Sequence, residues 1–374
     1  MVTASPPRPI SPGDIVAVLS DDLGEWTAAQ ITAVDPQART ADVLELEWSG
    51  PEPGTPADLG DIRPLRLTHH SWRGGLAHSV HSWVLPRGFK VLGTLPVLTA
   101  ERANGYTPVW NRGYQLARQR LWDSGSRETW TDPHRVECPA ADLALDDPRP
   151  DIRTLWVSAV GELDCARLAT CYPNLTTLGL IGELGTLSDA VRLNDLSRLR
   201  SITLSGVFGM DATDVLVPDH VPDLENLRLH NIPADYATAT GELWTPEARQ
   251  GVDVDIHSPR TPDWMTANLK NPLRDWDGRD HISRKAYRRS TAQYEKTRRD
   301  LTKALAEGAD PDRIFAIGAA YGEGFNKIDL KEGVIETVER EELYDVLAKT
   351  AREAGATEET VDRLTEGLDS TRDW

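Results

Sequence analysis

The chain carries only three cysteines in 374 residues, Cys138, Cys165 and Cys171. Three thiols cannot build a paired disulfide framework, and none stands at the CxxC spacing of a zinc site. No stretch approaches about 18 consecutive apolar residues, which excludes a membrane-spanning helix. Met1 to Gly13 is proline-rich and has no apolar core segment, so no secretory signal is expected there. The chain therefore reads as cytoplasmic and reduced. Lysine is scarce, 8 against 33 arginines. Together with abundant Ala, Asp and Gly, that preference is consistent with a GC-rich bacterial genome. Basic charge as a whole is short: 41 basic residues face 59 acidic ones, a net charge of −18. Such a chain is repelled by nucleic acid and by anionic membranes. Enzyme signatures are missing too. There is no P-loop lysine motif, no GxGxxG after a strand, no GxSxG elbow and no HExxH. Asp123 and Glu128 are acids at no favourable catalytic spacing. The reading is that the protein is not an enzyme and holds no cofactor.

What the sequence does contain divides it. Its length implies two or three domains. Seven of its twelve tryptophans lie in the first 130 residues: Trp26, Trp48, Trp72, Trp83, Trp110, Trp122 and Trp130. Alternating runs at Asp14–Leu19, Trp26–Val34 and Ala41–Trp48 are separated by the turns Ser20–Gly24 and Asp35–Arg39. This pattern predicts short antiparallel strands. The Pro/Gly-rich stretch Ser49–Pro56 is a loop before a further strand near Ile62–Leu67. Phe89–Leu95 reads as a strand and turn, and Tyr114, Ala117 and Leu121 have helical spacing. Through Gly13–Val18, Glu25–Gln30 and Asp42–Trp48, about 55 residues in all, the opening resembles SH3-like and Tudor-like barrels. The resemblance implies that Trp26 and Trp48 either form an aromatic cage for a methylated cation or fill the barrel interior; packing is the preferred use. Residues 1–138 are assigned to this β-rich domain and 139–150, containing Asp146–Pro150, to a linker.

The strongest periodic signal lies in the middle third. Ile152-x-x-Leu155-x-Val157 recurs as Leu175-x-x-Leu178-x-Leu180, Leu199-x-x-Ile202-x-Leu204 and Leu224-x-x-Leu227-x-Leu229. The central residues are 23, 24 and 25 positions apart, inside the window of leucine-rich repeats. Val252, Val254 and Ile256 alternate with Asp253 and Asp255 as a fifth, degenerate strand, with Arg249 at the first apolar position. Residues 150–258, roughly, thus resemble a leucine-rich-repeat protein, and 151–262 are assigned to that domain. The resemblance implies an α/β solenoid with a parallel sheet, in which positions one, four and six stack into one core. The family's usual Asn or Cys three residues after position six is replaced by Val160, Glu183, Val207 and Ile232. An irregular solenoid of varied curvature is the expectation.

From about residue 263 to 374 the pattern is helical. Arg279–Lys303 holds nine Lys or Arg against three acids, with Tyr287, Tyr294 and Leu301 on one stripe. Helices are predicted near Pro311–Tyr321 and Val338–Glu353, with Gly355 as C-terminal cap and Thr357 as N-cap of a last helix. Tyr321–Trp374 carries fifteen acids and seven bases, so pairing of this tail with the basic helix is expected. Gly333–Glu339 imitates half of a calcium loop, but Ile328 and Leu330 stand where oxygen ligands are needed, and that reading fails.

The expected site is the outward face of the repeat strands. It comprises Thr154, Trp156 and Ser158; Thr177, Gly179 and Ile181; Ser201, Thr203 and Ser205; Asn226, Arg228 and His230; then Asp253 and Asp255. An aromatic anchor at one end and charges at the other suit a protein partner. The functional expectation is non-catalytic protein binding, for example an acidic immunity-type or regulatory binder. The alternative is a nucleic-acid-associated regulator using the helix at 279–303 and the N-terminal barrel. His69, His70, His78 and His81 crowd together and could ligate a metal, but Trp72 and Trp83 beside them favour ordinary packing, and no metal is assigned.

Overall fold

The computed structural model describes residues 9–103, 105–107, 109–127 and 132–374; Glu128, Trp130 and the residues before 9 lie outside them. The chain forms two compact units, one running to Thr261 and the other covering Pro262–Trp374.

The first unit begins with β1 (Asp14–Leu19), β2 (Trp26–Asp35), β3 (Thr40–Gly50), β4 (Arg66–Leu67), β5 (Gly75–Leu76), β6 (His78–Ser82) and β7 (Lys90–Thr94). Five of these make an antiparallel sheet in the order β6-β3-β2-β1-β7, and β4 and β5 form a separate ribbon. Alternation sends Val16, Val18, Ala29, Ile31 and Val43 to one face, against Trp83, Phe89 and Trp110. Ile15, Ala17, Ala28 and Leu46 go to the other, where Leu59 covers them. The expected strand near 62–67 contracts to the two residues of β4, and the histidine-bearing segment becomes β6, an edge strand that was not foreseen. Helix α1 (Tyr114–Asp123) follows.

Next come β8 (Arg135–Pro139), β9 (Thr154–Asp164), β10 (Thr177–Ser188), β11 (Ser201–Phe208), β12 (Asn226–His230) and β13 (Asp253–His257). They form one parallel sheet in which every strand pairs with the next along the chain. Leu155, Leu178, Ile202, Leu227 and Val254 stand side by side, as do Val157, Leu180, Leu204, Leu229 and Ile256. Ile152, Leu175, Leu199 and Leu224 are fully buried beside them. Each such side chain contributes about 1.5–3 kcal/mol on burial. Arg135–Pro139, which the sequence reading divides between the N-terminal domain and the linker, pairs with β9 as the sheet's edge strand. The register also puts Gly251, rather than Arg249, three residues before Val254. The connections hold α2 (Cys165–Cys171), whose N-cap Asp164 accepts two backbone N–H bonds, and α3 (Ala234–Trp244).

A shared corner ends the first leg of each repeat strand. Ala159, Gly206, Asn231 and Ser258 directly follow Ser158, Ser205, His230 and His257, and all have left-handed backbone. In β10 the corner arrives two residues late, at Leu184, after a register shift between Ile181 and Gly185. At Gly206 glycine is required: its φ is +63° and a Cβ would stand 2.1 Å from the Gly182 carbonyl oxygen. Val160, Val207 and Ile232 are buried just past the corner while Glu183 is exposed, so apolar packing continues at three of the four positions where the resembled family carries Asn or Cys.

The second unit holds α4 (Pro262–Asn268), α5 (Arg284–Ala306), α6 (Pro311–Glu332), α7 (Thr337–Glu353) and α8 (Glu358–Thr371). Its core gathers Trp276, Tyr294, Leu301, Tyr321, Phe325, Leu343 and Leu364. Helix α6 runs past Tyr321, because Gly318 and Gly322 face α8 instead of breaking the helix. A Cβ on Gly318 would stand 1.9 Å from the Leu364 carbonyl oxygen, and one on Gly367 would stand 2.1 Å from that of Phe315. Ser283, Asp310 and Thr357 cap α5, α6 and α8 by accepting backbone N–H bonds. The half-imitation of a calcium loop is the left-handed Gly333 cap of α6 followed by the Glu336–Glu339 capping box of α7. Among the described residues no helix is long and apolar enough to cross a membrane.

Candidate interaction face of the parallel sheet

Because the strands are in register, their outward side chains form rows across the sheet. The first row is Arg135, Thr154, Thr177, Ser201, Asn226 and Asp253. The second is Glu137, Trp156, Gly179, Thr203, Arg228 and Asp255, and the third includes Ile181, Ser205, His230 and His257. These rows bring the sequence-predicted residues onto one surface, but the surface is unequally open.

The first row is closed at its far end. Ser201 and Asn226 are buried. Loops of the antiparallel sheet reach this edge: Gly88 donates its backbone N–H to Glu225 Oε1 at 3.1 Å, and the Arg112 guanidinium donates to the same oxygen. Arg87 pairs with Glu247 at 3.2 Å, and Arg200 with Asp21 at 2.6 Å. A Cβ on Gly251, whose φ is +91°, would collide with the Arg87 backbone nitrogen at 2.5 Å, so the two backbones touch. Asp253 lodges in this joint. Burial raises its carboxyl pKa above the ordinary aspartate value and outweighs the hydrogen bond to Ser82 and the charge of Arg228. Arg228 lies 3.8 Å from Asp253, and His257 pairs with Asp255. Ser201, Asn226 and Asp253 are therefore taken up by the protein's own packing.

The second and third rows stay accessible at the other end. Ser158 and His230 are exposed; Trp156, Ile181, Thr203 and Ser205 are half-buried. The indole of Trp156 lies in the space a Gly179 side chain would fill, since a Cβ there would meet Trp156 Cε3 at 2.1 Å. The absence of a side chain at Gly179 leaves the room that the ring occupies. Ser205 Oγ and His230 Nδ1 are 3.3 Å apart. The arrangement is a platform of one aromatic ring and one aliphatic side chain among hydroxyls, bounded by Arg228, His230, Asp255 and His257. It offers contact area and hydrogen bonds across adjacent strands, among them the Ser205–His230 pair.

The other sequence candidates serve packing. His69, His78 and His81 are buried. His78 shares a 2.7 Å bond with Thr32, His81 shares a 2.9 Å bond with Ser79 and stacks on Trp110, and His69 meets His70 at 3.2 Å. Burial lowers the pKa of all three, that of His81 to about 4. Among the described residues no three His, Cys, Asp or Glu gather as a metal site. Trp26 and Trp48 pack on the Ile15 and Leu46 side of the antiparallel sheet, and the ammonium of Lys90 sits 4.7 Å over the Trp26 ring. The acidic tail does reach the basic segment: Lys285 and Arg289 each lie 3.2 Å from Glu332, and Arg279 pairs with Glu339 and Glu342.

Sequence reasoning missed Glu45. This β3 glutamate is buried, accepts a 3.0 Å bond from Asn111, and is pushed by burial up to a pKa of about 7. Its parity was the available signal, since it shares a strand face with buried Val43. Comparison with protein-family models, with curated proteins and with solved structures found no match to this chain.

Proposed function

We propose that the protein is a non-catalytic binding module that receives a protein partner on the open part of the parallel sheet. Within this reading, residues 151–262 form a short, irregular leucine-rich-repeat solenoid, and the antiparallel sheet belongs to an SH3-like or Tudor-like barrel that buttresses one edge. The observation that carries it is Trp156, whose ring fills the space over Gly179 beside Ile181, Thr203 and Ser205 on adjacent strands. Aromatic anchors ringed by polar groups are where interface energy concentrates, and repeat sheets present such surfaces across several strands. The net charge of −18 favours a basic partner through electrostatic complementarity, as an immunity-type or regulatory binder requires.

The test is affinity purification from the source cells with the wild type and with Trp156→Ala/Ile181→Asp, followed by hydrogen exchange on the recovered complex. The expected result is one stoichiometric partner that the variant loses by at least about tenfold, with slowed exchange in β9–β11. The same partner held equally by the variant, or protection confined to other strands, overturns the reading.

A further inference from the structure

Helix α5 is two-sided. At about 100° per residue, its buried residues Ala286, Ser290, Tyr294, Thr297, Leu301 and Ala304 fall within an arc of about 80°. Exposed Arg284, Lys285, Arg288, Lys296, Arg299 and Lys303 fall within about 120° on the opposite side, over a length of about 30 Å. Glu295 is the acid within that arc. Lys285 is held by Glu332 at 3.2 Å, and Lys303 reaches Glu307 only at 4.0 Å. Among the described residues Arg284, Arg288, Lys296, Arg298 and Arg299 have no carboxylate partner. Near the helix's end a shallow cavity of about 500 Å³ is lined by Glu295, Arg298, Arg299, Thr302, Lys303 and Ala306. Three cations, one hydroxyl and the single carboxylate of Glu295 border this hollow, which is roomy enough for a phosphate group and keeps a net positive lining.

A helix face that only needs solvation is served by charges of either sign; this one concentrates one sign. A membrane surface is disfavoured because the helix's apolar face is already buried in the core, and interfacial helices need that face free. An acidic protein is disfavoured because the strip offers no aromatic or aliphatic anchor. Guanidinium forks spaced along a rod match phosphate oxygens. We propose that the exposed strip of α5 docks on the phosphate backbone of duplex nucleic acid without reading its sequence, with the Arg298–Arg299–Thr302–Lys303 hollow as the principal phosphate seat. The chain's overall negative charge confines contact to this strip and makes it strongly salt-dependent.

Fluorescence anisotropy of the full chain with a 20-base-pair duplex, across a salt series starting at about 50 mM, tests this. The expected result is binding whose logarithm falls with log salt at a slope of about −3 to −4, corresponding to about four phosphates. Arg288→Glu/Arg299→Glu weakens it at least about tenfold and lowers the slope by about two. Arg284→Gln/Lys296→Gln gives a smaller loss in the same direction, and Trp156→Ala leaves duplex binding intact, which separates this proposal from the sheet reading. Circular dichroism melting confirms that the variants are folded. Absence of binding at the lowest salt, equal binding by the charge-reversed variant, or binding to phosphatidylserine vesicles with none to duplex overturns it.

Discussion

The antiparallel and parallel sheets of the first unit both alternate apolar and polar residues, and they treat titratable groups differently. The antiparallel strands themselves bury Glu45, His78 and His81, each placed by its own bond. On the parallel strands the stacked positions are aliphatic from Leu155 through Leu227, and the buried charges Glu225 and Arg260 lie in the connections. A parallel ladder sets like against like from one strand to the next, so one residue class repeated satisfies the core. An antiparallel sheet whose two faces are covered by different elements must solve each position separately, and there a polar group with its partner is a workable solution. Stability from the aliphatic ladder is indifferent to pH and that from Glu45, His78 and His81 is not; Asp253, at the closed end of the parallel sheet, belongs with the second kind.

The largest expected effect comes from breaking the ladder. Leu178→Ala removes a fully buried side chain between Leu155 and Ile202, and a loss of about 4 kcal/mol is expected in urea denaturation, equal at pH 5 and pH 8. A loss that varies with pH would show that the contrast drawn above is false. Arg112→Ala attacks the joint. It strips the buried Glu225 of its guanidinium and should cost about 3 kcal/mol. Much of that should return in Arg112→Ala/Glu225→Gln, where no uncompensated charge is left; failure of the second change to recover stability would count against the ion pair as the source.

Glu45→Gln sharpens the comparison from the other side. Burial raises the Glu45 pKa from 4.5 to about 7, so the unfolded chain gives up this proton first. Wild-type stability from this group is therefore fullest below pH 4.5, falls as pH rises to 7, and is level beyond. Glutamine keeps the carbonyl that accepts from Asn111 and removes the ionisation, so the variant should exceed wild type by up to about 3 kcal/mol at pH 8 and match it near pH 4. His81 works in the opposite sense: its neutral form is favoured down to about 4, so its contribution is lost as pH falls below 6.5. With Glu45 replaced, thermal melts should show that acid-side loss as a clear rise of stability from pH 4 to 6.5. A flat profile would remove the histidine from the account.

Much of the parallel sheet was legible because its core positions recur at nearly constant distance, and pairing places Leu155, Leu178, Ile202 and Leu227 in one line. The edge strand β8 was not, since Arg135-Val-Glu-Cys-Pro139 has a single aliphatic residue and no repeat partner. The corners at Ala159, Leu184, Gly206, Asn231 and Ser258 share a backbone angle and no side-chain chemistry, so no residue pattern announces them. The helix expected near Pro311–Tyr321 extends as α6 to Glu332, and at Gly318 and Gly322 the missing side chains let α8 approach. In the candidate face, the strand register aligns the residues that outward parity grouped, whereas the closure over Ser201, Asn226 and Asp253 depends on loops more than a hundred residues away in sequence. Glu45 was hidden by the habit of assigning charge to the solvent side.

The recurring left-handed bend has a consequence for how the middle of this protein tolerates change in length. Between Ile181 and Gly185 two surplus residues are absorbed before Leu184 makes its turn, and Gly185 then pairs with Val207 as though nothing had been added. The bend acts as a reset: whatever slack precedes it, the chain leaves in step with its neighbours. Insertions at this point should lengthen the rim of the sheet while leaving the hydrophobic column beneath unaltered, which makes the rim the natural place for new loops to be grafted.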